Sequence, residues 1–168
     1  GVSVGLSNVI LANTYEYVGT QLGNINRRNS TSALGAVTII TPPGESGTGL
    51  FITLFKLDPD NTENLYYAND NALYRTTSAS TVTSAAWTSL PGIATSVGAA
   101  NDITAIATTR GTYSAVTASL FMGTSNGRLF RLNDPAGVAA ATAPVDITGG
   151  TFPAGFVSSI AVNPRNDD

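Results

Sequence analysis

The chain has 168 residues, of which 42% are hydrophobic and only 11% are charged, and its formal net charge is -3. These values suit a folded domain with a real core and a surface of Ser, Thr, Asn and Gly, as in extracellular β proteins. The absence of Cys and His excludes a disulfide, a thiol nucleophile, an imidazole base and a metal held by either residue. The one basic doublet, Arg27-Arg28, carries too little charge for nucleic-acid binding, and no apolar run approaches the ~20 residues of a membrane span.

The first predicted unit covers residues 1–45 and is a partial one. Short runs rich in Val, Ile, Thr and Tyr, bounded by Gly, Asn and Pro, are typical of β-strands. They predict strands near 15–20, 24–28 and 36–41, ahead of Pro42-Pro43-Gly44.

The second predicted unit, 46–98, contains four strands. They are expected near 50–57, 65–68, 73–77 and 86–90, the last ending before Pro91-Gly92. Asp58-Pro59-Asp60-Asn61 predicts a turn after the first strand, because Pro presets φ and Asp and Asn side chains bond to nearby amides. Asn69-Asp70-Asn71 predicts a hairpin between the second and third strands, because these residues tolerate positive φ. No helical pattern is present.

The third predicted unit, 99–152, repeats this order. Its strands are expected near 103–108, 118–124, 128–132 and 144–148, with a hairpin at Asn126-Gly127 and an end at Gly149-Gly150. Residues 153–168 then open a further unit, whose first strand is expected over 156–163.

Self-comparison shows that these units resemble one another. Tyr17–Arg27 aligns without a gap with Phe121–Arg131, and Leu65–Arg75 is a third copy. The matching pairs are Gly19 with Gly123, Thr20 with Thr124, Gly23 with Gly127, Ile25 with Leu129 and Arg27 with Arg131. A second element begins at Ile52, Ile103 and Val157, which gives a period of about 50 residues with four short strands in each period.

This period predicts an all-β fold, a partial β-propeller built from four-stranded antiparallel blades. Propellers have ~4–8 blades, so the smallest ring needs about 200 residues. We therefore expect the ring to be completed by the remaining blades of the same protein or by other chains.

The repeated residues are similar to a known family. The segments Ile52–Pro59, Leu65–Thr77 and Trp87–Leu90 resemble the blades of sialidase-type and sortilin-type propellers, the BNR or Asp-box repeat superfamily. Val157–Pro164 is most similar to large secreted Bacteroidetes proteins that carry such blades. The resemblance covers roughly 15–168 and implies architecture more than activity. The Asp-box itself has decayed, because the segment between Arg75 and Trp87 lacks both its Asp and its Gly.

Three arginines occupy one position of the repeat. The resemblance to sialidase-type propellers raises the hypothesis of sialidase activity. That activity needs an arginine cluster, a Tyr nucleophile with a Glu partner, and an Asp acid. Arg27, Arg75 and Arg131 could form that cluster, but their recurrence favours a salt-bridging or strand-edge hydrogen-bonding role in every unit. No catalytic residue is therefore predicted.

Two further sets of residues have alternative interpretations. Asp58 and Asp60 could bind Ca²⁺ through oxygen ligands, but the sequence favours a plain turn. Aromatic side chains could stack on a sugar ring, although strand aromatics more often fill the space between blades. The residues in this second set are Trp87, Tyr66, Tyr67 and Tyr74. No cofactor or metal site is predicted.

The preferred function is a non-catalytic binding or structural module of a larger bacterial protein, secreted or on the cell surface, with a glycan or protein ligand. Two alternatives remain. One is a segment of a glycoside hydrolase, similar to a sialidase or a xyloglucanase, with catalytic residues outside this chain. The other is a subunit of a surface filament or a secretion assembly.

Overall fold

The computed structural model describes residues 3–6, 15–29 and 37–163. These residues form three four-stranded antiparallel sheets, one α-helix and one 3-10 turn. The mostly β content confirms the all-β expectation. In each sheet, every strand pairs with its neighbour in sequence, so that each sheet is a simple meander.

The first sheet consists of β1 (Ser3–Leu6), β2 (Tyr15–Gly19), β3 (Ile25–Asn29) and β4 (Val37–Ile39). The second consists of β5 (Leu54–Leu57), β6 (Leu65–Asn69), β7 (Ala72–Thr76) and β8 (Thr88–Ser89). The third consists of β9 (Ile103–Thr108), β10 (Ser119–Thr124), β11 (Leu129–Asn133) and β12 (Val145–Asp146).

Most predicted strands are present, and the differences lie at the sheet edges. β1 was not predicted, although it pairs with β2 over four residue pairs. The fourth strands are shorter than expected, since β8 and β12 have two residues each. Ala36, the first residue of one predicted strand, lies outside the described residues.

A helix follows the second sheet where no helical pattern was expected. α1 (Pro91–Val97) begins at Pro91. Proline is favoured in the first helical turn because it lacks a backbone N–H, and an N–H at that position would have no acceptor within the helix. Ile93 and Val97 are four residues apart, and both are buried on the same side of the helix. Gly92 lies against the third sheet's last loop, because a Cβ there would be 2.3 Å from the Thr142 carbonyl oxygen.

The strand expected over 156–163 is not formed. Val157 donates its N–H to the Thr124 carbonyl at 3.1 Å, and its own carbonyl accepts from Thr104 Oγ1 at 2.7 Å. A strand needs a continuous ladder of backbone hydrogen bonds, and these contacts at one residue do not make one. Residues 164–168, the end of that predicted unit, lie outside the described part of the chain.

The hairpins explain one feature of the internal alignment. Tyr17 pairs with Arg27 and Phe121 with Arg131, but Arg75 pairs with Tyr66 rather than with Leu65. The reason is turn length. Asn69 and Ala72 close a two-residue loop, whereas the other two hairpins close three-residue loops through Thr20–Asn24 and Thr124–Arg128 contacts. The gapless alignment of the middle copy was therefore wrong by one residue in the strand before the turn, β6, where Tyr66 and not Leu65 corresponds to Tyr17.

Two apolar layers separate the three sheets. The layer between the first and second sheets includes Tyr17, Ile25, Ile40, Leu57, Leu65, Tyr67, Ala79 and Val82. The layer between the second and third sheets includes Tyr66, Ala68, Leu73, Leu90, Ile93, Val97, Ile103, Leu120, Met122, Phe130 and Leu132. The second sheet is thus covered on both faces, and every residue of β6 is buried.

Candidate functional site at the sheet interfaces

Corresponding residues form one face of each sheet, which we call the leading face. Directly opposed residues of paired strands, and residues two apart along a strand, share a face. The leading face therefore contains Tyr17, Gly19, Ile25 and Arg27 in the first sheet, Tyr66, Ala68, Leu73 and Arg75 in the second, and Phe121, Gly123, Leu129 and Arg131 in the third. We call the opposite side the trailing face.

The leading-face arginines contact the next sheet. Arg27 donates from Nη1 to the carbonyls of Ala79 at 3.1 Å and Val82 at 2.9 Å. Arg75 donates from Nη1 to the carbonyl of Pro135 at 3.0 Å. Both acceptor loops join the third and fourth strands of the following sheet. Each guanidinium thus connects its own sheet to the next one in sequence.

The arginine cluster of the sialidase hypothesis is not assembled by these contacts. Arg27, Arg75 and Arg131 lie in three different sheets, and the first two donate to separate loops. The role of the first two arginines is hydrogen bonding between units. In Arg131, Nε is buried and has no hydrogen-bond partner among the described residues.

The aromatic residues pack between the first and second sheets. The ring of Tyr67 lies 6.0 Å from that of Tyr74 and 5.9 Å from that of Trp87, in tilted arrangements. Trp87 Nε1 donates to the Ile40 carbonyl at 2.6 Å, and Tyr67 donates its hydroxyl to the Gly23 carbonyl at 2.7 Å. These rings fill the interface between the sheets, as strand aromatics were expected to do. Tyr66 lies on the opposite face and is fully buried in the other layer.

Glu45 is a partner of this aromatic cluster that the sequence did not reveal. Its carboxylate accepts from the Tyr74 hydroxyl at 2.5 Å and from Asn69 Nδ2 at 2.8 Å. Asn69 Nδ2 also lies 2.7 Å from Thr48 Oγ1. Glu45 lies in a Gly- and Pro-rich segment, 42–49, which has the composition of an ordinary loop, so no sequence signal marks the acid.

The electrostatics of the Tyr74–Glu45 pair favour a neutral phenol. Burial raises the pKa of Tyr74, and its hydrogen bond to Glu45 and the charge of that residue raise the pKa further. Burial and the charge of Glu45 also raise the pKa of Tyr67. Both phenols are therefore protonated at neutral pH, and each donates its proton to a neighbouring acceptor, Glu45 for Tyr74 and the Gly23 carbonyl for Tyr67.

The acidic residues expected at a turn do form one. Asp58 Oδ1 accepts from the backbone amides of Asp60 at 2.9 Å and Asn61 at 3.1 Å. The carboxylate of Asp60 faces away toward Arg110, with Nε and Oδ2 2.9 Å apart, and this hydrogen bond lowers the pKa of Asp60. Within residues 15–29 and 37–163, no group of three or more acidic side chains could hold a metal ion.

A groove crosses the trailing face of the first sheet. It has a volume of about 510 Å³ and is lined by the trailing-face residues Glu16, Val18, Asn26, Arg28 and Val37, together with Arg27 from the same strand as Arg28. Glu16 and Arg28 form an ion pair, with Arg28 Nε 2.8 Å from Glu16 Oε2. Val37 and Ile39 are exposed beside it. This surface combines apolar residues with one charged pair.

Comparison with known proteins adds no relative. No family model, no curated protein and no solved structure matches the chain. Among the described residues, no helix combines the length and apolar character needed to cross a membrane. A function is therefore inferred from the residues and contacts above.

Proposed function

We propose that the three sheets are consecutive blades of a β-propeller. We further propose that they form a non-catalytic binding or structural module of a larger secreted or cell-surface protein. The observation that carries this proposal is the recurring arginine contact, in which Arg27 and Arg75 each donate to a loop of the following sheet. Sheets that repeat radially around a ring would place equivalent contacts at successive interfaces, as these two do.

Two glycines support the same arrangement. A Cβ on Gly19 would lie 2.9 Å from Phe55 Cε1 and 3.2 Å from Thr53 Cβ, next to the first strand of the second sheet. A Cβ on Gly123 would lie 2.3 Å from Val157 Cγ1. At both positions the segment that follows a sheet returns to lie against that sheet's second strand, as the first strand of the next blade would.

The non-catalytic part of the proposal rests on how the polar side chains are used. Arg27, Arg75 and Glu45 all bond to residues of other sheets or linkers. Tyr74 is hydrogen-bonded with a raised pKa. Groups committed to packing contacts in this way would have to break them before they could act on a substrate.

The family and the partners are part of the same proposal. The segments Leu65–Thr77 and Trp87–Leu90 support a place among BNR or Asp-box repeats, and the low charge supports a secreted or surface location. We propose a glycan or a protein as the ligand. The exposed apolar residues Val37 and Ile39 beside the groove of the first sheet offer a surface for either.

The experiment that tests the function combines a glycan array with a fluorogenic glycoside screen. The proposal predicts no turnover of any glycoside, with or without binding to immobilised glycans. The variant Glu45→Gln serves as the matched control, because it keeps the size and much of the hydrogen bonding of that side chain. Turnover by the unsubstituted protein that Glu45→Gln abolishes while the variant stays folded would contradict a non-catalytic module and favour the glycoside hydrolase alternative.

A further inference from the structure

The apolar side chains on the leading face of the third sheet are less buried than those on the leading faces of the first and second sheets. Tyr17 and Tyr66 are 1% and 0% exposed, and Ile25 and Leu73 are both 0% exposed. The corresponding Phe121 and Leu129 are only partly buried. Apolar side chains at these positions are enclosed wherever another sheet follows, so the third sheet presents the same surface without its full cover.

Arg131 gives a second, independent observation at this face. Its counterparts Arg27 and Arg75 each donate to carbonyls of the next sheet's loop. The Nε of Arg131 is buried and has no partner among the described residues. A buried guanidinium N–H without an acceptor is costly, so a carbonyl acceptor would satisfy it.

The segment after the third sheet lies against the third sheet's hairpin in the same way as the linker between the first and second sheets lies against the first sheet's hairpin. Gly127 corresponds to Gly23, and a Cβ there would lie 2.6 Å from the Gly155 nitrogen and 2.8 Å from the Pro153 carbonyl oxygen. At Gly23 the same atom would lie 2.2 Å from the Glu45 carbonyl oxygen, in the linker between the first and second sheets. The two linkers therefore cross corresponding hairpins.

A second copy of this chain would have to cover this surface with the trailing face of its first sheet, and that face does not match it. The second sheet covers the first with Leu65 and Tyr67, and the third covers the second with apolar residues that include Leu120 and Met122. The first sheet has the Glu16–Arg28 ion pair at the position of Leu65. Burying that pair against Phe121 and Leu129 would cost desolvation energy with no new partner for either charge.

We propose that the leading face of the third sheet docks a fourth four-stranded sheet of the same repeat, carried on the same polypeptide. The loop between that sheet's third and fourth strands supplies a backbone carbonyl to Arg131. This inference rests on the proposed propeller architecture and identifies the surface through which it continues.

Single cysteines provide the test, because the chain contains none of its own. Leu129→Cys is placed in the 168-residue chain and in the native polypeptide that carries the proposed fourth sheet, and its rate of reaction with a maleimide is measured in each. We expect at least a tenfold slower reaction in the native polypeptide, with the protein monomeric by light scattering. Equal rates, or protection that appears only in a dimer, would overturn the proposal.

Two control positions separate this inference from the proposed architecture. Val116→Cys, at a residue that is 91% exposed, should react fast in both proteins, and Ile25→Cys, at the corresponding position of the first sheet, should react slowly in both. If Ile25→Cys reacts fast in a folded protein, the stacked architecture itself is wrong. If Ile25→Cys is protected while Leu129→Cys reacts fast in the native polypeptide, only the fourth sheet is wrong.

Arg131→Met gives a readout that does not depend on a buried cysteine. In the native polypeptide the substitution removes a donor to the fourth sheet, so it should lower the urea midpoint. Arg75→Met, which removes the corresponding donor of the second sheet, should lower it too. In the 168-residue chain it removes a buried N–H without a partner, so the midpoint should stay level or rise. A midpoint that falls equally in both proteins would contradict the docking role of Arg131.

Discussion

Arginine suits an interface between two sheets because its long side chain crosses the gap and its planar guanidinium offers five N–H donors. Arg27 uses one nitrogen to reach two carbonyls in the loop of the second sheet. Its neighbour Arg28 points to the other face and pairs with Glu16 at the surface. Adjacent arginines on one strand therefore have different roles, which predicts different costs of removal.

Replacing Arg27 with Met should destabilise the fold by about 1–3 kcal/mol, because two partly buried carbonyls lose their donor while the apolar volume is kept. Arg28→Met is the matched control, and as an exposed ion pair it should cost about 0.2–1 kcal/mol. Urea unfolding of both variants measures the difference. Equal effects would remove the argument that the leading-face arginine holds two sheets together.

Asp70 and Asp146 should respond to pH with opposite signs. Partial burial, Asp102 and Glu45 raise the pKa of Asp70, so its charged form is less favourable in the folded state than in the unfolded state. Asp70→Asn should therefore raise stability at pH 7. Below the unfolded-state pKa of about 3.9 the carboxyl is protonated in both states, and this pH-dependent gain should disappear.

Hydrogen bonds from Thr148 and Arg128 lower the pKa of Asp146 to about 2. Its stabilising contribution is present above the unfolded-state pKa and is lost as pH falls through about 2. Asp146→Asn should therefore lower stability at pH 7. Thermal unfolding of the two variants at pH 7 and pH 3 checks both directions, and a shift of the same sign at pH 7 would contradict the assignment.

At the scale of elements, the helix between the second and third sheets is an unexpected part of the core. Ile93 on α1 is fully buried in the layer between these sheets. Ile93→Ala should cost about 2–5 kcal/mol, since it removes buried apolar volume. Ile39→Ala changes the same residue type at a site that is 67% exposed, and it should stay within about 0.5 kcal/mol. Equal losses of stability in chemical denaturation would show that α1 does not pack as described.

Most strands of the three sheets were predictable from sequence because their signals are local. Alternating apolar residues and turn residues marked the paired second and third strands of every sheet, as at Asn126-Gly127. The helix was missed because Pro91-Gly92 has the composition of a turn. What favours a helix here is the burial of Ile93 and Val97 on one side of it, which is a tertiary contact and not a local signal. The expected strand over 156–163 failed for the opposite reason, because its local signal has no paired strand to complete it.

The candidate interface was only partly predictable. Recurrence in the sequence identified Arg27 and Arg75 as structural residues, but it could not name their acceptors, which lie 52 to 60 residues away along the chain. Glu45 was not found, because a single acid in a Gly- and Pro-rich linker has no pattern of its own. Glu45 reaches the aromatic cluster because the linker between the first and second sheets passes beside Asn69, and only the tertiary structure shows this contact.

At the scale of the whole molecule, the second sheet is the centre of the structure. Its leading face packs on the third sheet and its trailing face on the first, whereas each outer sheet has one face with less cover. Stability should therefore be graded, highest in the second sheet and lower toward the outer faces and short edge strands.

Native-state hydrogen exchange tests this arrangement most directly. The amides of β6, all of whose residues are buried between two paired strands and two apolar layers, should be among the slowest to exchange in the chain. Those of β4 and β12 at the sheet edges should exchange much faster. If β6 exchanges as fast as those edge strands in the folded protein, the second sheet is not enclosed on both faces and the stacked arrangement is wrong.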